Sequence, residues 1–252
     1  MRDVKIIVLI VISLIFWGCD SPDAGDCWQT SGEIVSREVA LQAFDRILVN
    51  EGVKAVVRQG ESYKAVITSG ENLIDDVTLE VKEGQLIVSN NNGCNLFRSY
   101  GNTEVLIQAP DFREIRSSTQ FAIRSEGRLQ LQDLNLLSEG FLKPDMVTNG
   151  EFYLDIEADR LRMTFNGLAN AYLSGRVRVL SIGIAAGNSR VEAASLEAEH
   201  VLIYHRGSND LLVNPLNLVE GDLYGTGDLI LYNRPDSLDV TEHYRGRLLY
   251  AD

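Results

Sequence analysis

Asp155, Glu157 and Asp159 alternate along one short segment, with Arg160, Arg162 and Arg178 close behind. On an extended chain alternate residues share a face, so the three carboxylates would stand side by side. Carboxylates grouped in this way can hold Ca²⁺ while a neighbouring base takes the proton α to a uronate, which is lyase chemistry. Glu197 and Glu199, with Arg206 beyond them, repeat the arrangement on a smaller scale. Alternating charge is equally the mark of a solvated strand face, and that plainer reading accounts for both groups. Asp210 and Asp228 offer a second chemistry, since an inverting glycoside hydrolase needs two carboxylates about 6.5–9.5 Å apart across a groove. Each sits in a Gly/Asn-rich turn, which explains it without catalysis. Gly225-Thr226-Gly227-Asp228 is one loose copy of a calcium-binding repeat, too isolated to predict a metal. His200 and His205 are five apart and face opposite ways on a regular strand, and His243 lies far downstream, so no metal pair is expected. No nucleophile elbow, phosphate loop or dinucleotide glycine pattern stands in a suitable context. The sequence therefore predicts no catalytic residue, no metal site and no cofactor.

Binding has firmer support than catalysis. Tyr153, Tyr172, Tyr204, Tyr224 and Tyr232 recur through the second half of the chain, several next to apolar positions and so directed outward. Exposed tyrosines along one face can stack on sugars or anchor a protein partner. The same residues also pack well across neighbouring strands.

The elements that must position these side chains are strands. Gly167, Gly187 and Gly207 stand 20 residues apart, each beside Asn or Ser. Leu129/Leu131, Phe152/Leu154, Ala171/Leu173, Val191/Ala193, Leu211/Val213 and Leu229/Leu231 follow at intervals of 23, 19, 20, 20 and 18 residues. A second apolar ladder runs between them through Leu161/Met163/Phe165, Ile182/Ile184, Val201/Ile203 and Leu216/Leu218. This predicts an all-β fold over residues 111–252, a parallel β-helix or solenoid with rungs of about 20 residues, each stable only against its neighbours. A bulge is expected around Lys143-Pro144-Asp145. Residues 37–110 read as a strand-and-turn-rich half: Val77 to Val81, a turn at Glu83-Gly84, then Leu86 to Val88, with further strands at 47–49, 53–57, 63–68 and 105–107.

The start of the chain carries a targeting signal. Arg2 and Lys5 precede an apolar run from Ile6 to Trp17, shorter than the roughly 20 residues needed to span a bilayer and suited to a signal peptide. Gly18-Cys19 then resembles a lipoprotein cleavage box, so residues 1–18 are expected to be removed and Cys19 lipidated. Residues 19–36 form an acidic, flexible tether. Cys27 and Cys94 are an even pair outside the cytoplasm and could form a disulfide, the alternative being two free thiols. Loss of Arg2, Lys5 and Asp3 with the leader leaves 21 basic against 35 acidic groups, a net charge of about −14. Nucleic acid and anionic headgroups are disfavoured as partners, because both require a basic footprint.

Residues Leu196 to Leu249 resemble the auto-transporter adhesin head GIN domain family of bacterial lipoproteins and secreted proteins. The resemblance rests on His205-Arg206-Gly207-Ser208-Asn209-Asp210, Leu216 to Gly221, Gly225 to Pro235 and Tyr244-Arg245-Gly246. Phe44-Asp45, Gly52 and Glu71-Asn72-Leu73-Ile74 match the family's opening, so coverage runs from about 40 to 250. The resemblance implies a right-handed all-β helical fold and an adhesin role, with no catalytic residues to carry over. Taken together, the chain is expected to be a non-catalytic lipoprotein of the cell envelope, at the outer membrane on its periplasmic or outer face. It would recognise a glycan or a surface protein. A polysaccharide lyase or hydrolase is the first alternative and an assembly subunit the second, since Leu248-Leu249-Tyr250 would permit self-association.

Overall fold

The computed structural model describes residues 30–93, 101–141 and 145–251. Within them the strands are β1 (Ile34–Ala40), β2 (Arg46–Val49), β3 (Lys54–Gln59), β4 (Lys64–Gly70), β5 (Val77–Lys82), β6 (Gln85–Asn90), β7 (Glu104–Ala109) and β8 (Glu114–Ser117). They continue as β9 (Ala122–Ser138), β10 (Glu151–Phe165), β11 (Asn170–Ile184), β12 (Val191–His205), β13 (Leu211–Leu223), β14 (Leu229–Leu231), β15 (Ser237–Glu242) and β16 (Leu248–Tyr250). One 3₁₀ turn at Ile74–Asp76 interrupts them, and no described helix is long and apolar enough to cross a membrane. Cys19, Cys27 and Cys94, like the leader and most of the tether, lie outside the described residues, as do Lys143 and Pro144.

From β9 to β13 every long strand pairs in parallel with the next. Each bends back on itself, because Phe152 and Phe165 lie at opposite ends of β10 yet stack with ring centroids 5.5 Å apart. The first and second halves of these strands therefore form two facing sheets with the core between them, an arrangement consistent with a β-solenoid. β14 and β16 extend the first sheet and β15 the second. On the other side, β3 and β8 join the two halves of β9. β7, β4 and β1 complete the first sheet, and β2, β6 and β5 the second. Pairing turns antiparallel at β4 and β5, so the strand-rich first half belongs to the same stack.

The apolar ladder read from the sequence is the core. Phe152, Ala171, Val191, Leu211 and Leu229 occupy one register column and are fully buried. Two steps differ from expectation. Ile123 faces Phe152, and Leu129 faces Ile156 beyond a register shift between Tyr153 and Asp155. In the second half of β13 the inward residues are Val219 and Leu223, on the same alternation as Leu211 and Val213, so Leu216 and Leu218 fall on outward positions and are only part-buried.

Gly187 shows why glycine recurs at the corners. Its φ is +87°, and a Cβ there would collide with the Gly167 carbonyl oxygen, which accepts from the Asn188 amide at 2.8 Å. Gly225 lies against the Gly207 carbonyl in the same way. Beside this glycine spine runs a side-chain ladder. Asn170 accepts from the Arg190 amide, Asp210 from the Asp228 amide and Asp228 from the Arg247 amide, at 3.0, 3.0 and 2.8 Å.

Candidate functional site

The carboxylates singled out in the sequence are distributed along the outside of the stack, several of them beside an arginine of a neighbouring strand. Asp155 accepts from Arg128 at 2.9 Å, Asp159 from Arg178 at 2.6 Å and Glu197 from Arg176 at 2.5 Å, while Asp133 pairs with Arg160. Glu157 stands 3.9 Å from Arg128. Hydrogen bonds from Arg178 and Arg160 hold the carboxyls of Asp159 and Asp133 below their ordinary range; burial opposes this in part, and the arginines' charge adds to the lowering. These carboxylates are used as rungs of a surface ion-pair ladder, and Asp210 and Asp228 as corner caps. Among the described residues no three His, Cys, Asp or Glu side chains come close enough to hold a metal ion. Glu199 and Arg206 do not join either set, and Arg162 lies instead on the outer face of the second sheet.

The histidines separate as expected for an odd spacing. His205 faces inward and is fully buried, its Nε2 donating to the Asn209 carbonyl at 2.9 Å, while His200 is part-exposed. Burial lowers the His205 pKa, partly offset by that hydrogen bond and by Asp210 and Asp228. The remaining ring nitrogen, Nδ1, has no hydrogen-bond partner among the described residues.

The tyrosines form two groups on different sheets. Tyr153 and Tyr172, opposite one another on β10 and β11, stack at 4.6 Å and are part-buried, and Arg124 covers the Tyr153 ring at 4.0 Å. Cross-strand packing thus covers one face of each ring, and Arg124 a further face of Tyr153. Tyr204 and Tyr224 are 44% and 42% exposed, with centroids 5.5 Å apart, and His243 stacks on Tyr224 at 4.2 Å. The His243 Nε2 lies 2.6 Å from an Asp222 carboxylate oxygen. Tyr232 is 49% exposed near the last strands, beyond both groups.

Through Tyr204 the second group adjoins a shallow groove of about 560 Å³ across the outer face of the second sheet. Two rows line it through parallel register: Arg162, Ser181, Leu202, Glu220 and Asp239, and beside them Thr164, Gly183, Tyr204, Asp222 and Thr241. Of these only Tyr204 was selected as a ligand-face residue from the sequence. Gly183 was the available signal for the rest. It interrupts Ile182 and Ile184 inside a strand, where glycine leaves space rather than makes a turn.

Comparisons with known proteins agree with the architecture. The family described as "Putative auto-transporter adhesin, head GIN domain" matches residues 43–235. A crystal structure of "a putative adhesin" from Bacteroides fragilis is 16% identical, with a TM-score of 0.76 over 88% of this chain and 99% of that one. A "putative adhesin" from Parabacteroides merdae is 13% identical, with a TM-score of 0.60 over 88% of this chain and 97% of that one. A "putative lipid binding protein" from Parabacteroides distasonis is 15% identical, with a TM-score of 0.58 over 88% and 98%. At these identities the likeness is one of fold. Comparison with curated proteins finds no match.

Proposed function

The chain belongs to the auto-transporter adhesin head GIN domain family, and from that premise we propose that it is a non-catalytic recognition module of the cell envelope. On this reading it is tethered through a lipid on Cys19 and displayed at the outer membrane, and its body is a right-handed solenoid with rungs of about 20 residues. The observation that carries the reading is the outer face of the second sheet. A broad groove there is lined by exposed Tyr204, against which Tyr224 packs, while the carboxylates best spaced for lyase chemistry are engaged by arginines elsewhere. An open sheet face with aromatic and hydroxyl groups suits contact with an extended glycan or a surface protein.

The test is binding of the purified protein to a broad glycan array and to intact bacterial and host cells, with and without Ca²⁺. Saturable, calcium-independent binding supports the recognition module. Binding that chelation abolishes, accompanied by release of unsaturated sugars, replaces it with a lyase. Release of the protein from membranes in a Cys19→Ser variant would support the lipid anchor, and unchanged membrane retention would contradict it.

A specific observation also favours assembly as a second reading. Leu238, Leu249 and Tyr250 are 43%, 43% and 37% exposed on β15 and β16. Leu238 and Tyr250 continue inward columns of the core, opposite Val219 and Leu231. The outer edges of both strands carry no further strand among the described residues, which leaves an apolar edge able to pair.

A further inference from the structure

The groove owes its depth to Gly183, and nothing in the backbone requires glycine there. Its φ lies outside the left-handed region, and an added Cβ would meet only the Met163 carbonyl oxygen, at 3.3 Å, a tight contact relieved by a shift of a few tenths of an ångström. Gly175 and Gly221 differ, since both have positive φ and a Cβ would strike the backbone of the preceding strand. Glycine inside a strand weakens it, so its effect here is the space it leaves. That space adjoins Tyr204, its register partner on β12, whose ring is nearly half exposed. Tyr224 packs on Tyr204 from elsewhere, tilted at 51°.

Chemistry around the slot is one-sided. Arg162, Ser181 and Thr164 flank it towards β10 and β11, and Glu220, Asp222, Asp239 and Thr241 lie towards β13 and β15. Glu220 and Asp239 stand directly opposite each other in parallel register, a like-charge pairing that costs stability. Neither has an ion-pair partner among the described residues, unlike the carboxylates of the arginine ladder. Beside an open aromatic ring, Glu220 and Asp239, together with the Asp222 carboxylate that His243 engages through one oxygen at 2.6 Å, provide acceptors for hydroxyl donors and repel anions.

We propose that the slot over Gly183, beside Tyr204, is a saccharide subsite for an uncharged pyranose ring. The apolar face of the sugar packs on the Tyr204 ring, and its hydroxyls donate to Glu220, Asp222 and Asp239. The subsite deepens the recognition reading above and rests on it. The three carboxylates outnumber the one cation of the groove, Arg162, and so disfavour uronic and sulfated sugars.

The test is titration of the full-length protein with neutral gluco- and manno-oligosaccharides and with oligogalacturonate, for the wild type, Gly183→Val and Tyr204→Ala. Valine suits a strand and fills the slot, so Gly183→Val keeps its circular dichroism and melting transition. The expected result is binding of a neutral oligosaccharide, no binding of oligogalacturonate, and a loss of about tenfold or more in each variant. Neutral-sugar binding unchanged in both variants overturns the subsite while leaving saccharide recognition standing. Preference for oligogalacturonate also overturns it. Silence towards all neutral sugars overturns it too, and cell binding in that case would keep the broader reading with a protein partner.

Discussion

At the scale of single residues, glycines of one type do different work, and substitution separates them. Gly187→Ala combines an unfavourable positive φ with a collision against the Gly167 carbonyl, and is expected to lower unfolding stability by about 2 kcal/mol or more. Gly127→Ala meets the same torsional penalty at φ +80° but has nothing within 4 Å of the new Cβ, so about 1 kcal/mol is expected. Urea unfolding of the two variants checks the order, and equal losses would remove the glycine spine from the account. His205 gives a pH dependence of definite sign. Its folded pKa lies below the ordinary 6.5, so as pH falls through 6.5 the unfolded chain takes up a proton that the buried ring refuses. This contribution is fully present above 6.5 and is lost as pH drops towards the folded pKa. Replacing His205 by Leu, between Ile184 and Leu223 in its column, should flatten that decline in a melting series from pH 7.5 to 5. A slope unchanged by His205→Leu would assign the decline to other groups.

At the scale of elements, the rung halves depend on facing aromatic and aliphatic residues meeting across a thin core. Phe152→Ala removes a fully buried ring that stacks on Phe165, and about 3–5 kcal/mol of stability should go with it, measured by chemical denaturation. A loss below about 1 kcal/mol would mean that the two sheets do not share one core at this level. The strands themselves were largely legible. Alternation placed β2 to β7 within a residue or two, and Glu83-Gly84 turns between β5 and β6 with φ of 50° and 75°. The column Phe152, Ala171, Val191, Leu211 and Leu229 was readable because inward residues of stacked rungs recur at nearly constant spacing. Leu129 and Leu218 were misplaced for different reasons. The partner of Phe152 on β9 is Ile123, further back than a constant spacing reveals, and in β13 burial stays on the positions of Val219 and Leu223, so Leu218 points outward. The joining of β7, β4 and β1 to β3 was also hidden, since alternation specifies faces and says nothing of which edges meet. At the site, Tyr204 was visible as an outward aromatic. Glu220 and Asp239 were not, because only the register of β13 with β15 brings them opposite each other.

At the scale of the whole molecule, two features divide the functional readings: the open face of the second sheet and the apolar edge at β15 and β16. Assembly through that edge predicts a sedimentation coefficient that rises with protein concentration and ceases to do so in Leu249→Asp, whereas a concentration-independent monomer would discard it. Recognition through the face makes no such demand. It places the ligand on a preformed surface, so affinity should be insensitive to Ca²⁺ and should not depend on the arginine ladder at Asp155, Glu157 and Asp159. The measurement that bears most directly on the account is therefore binding of the purified protein to a glycan array in calcium and in chelator, with the supernatants assayed for cleaved sugar. The account predicts equal, saturable binding in both conditions and intact glycan throughout. Binding confined to calcium, with unsaturated products released, would contradict it.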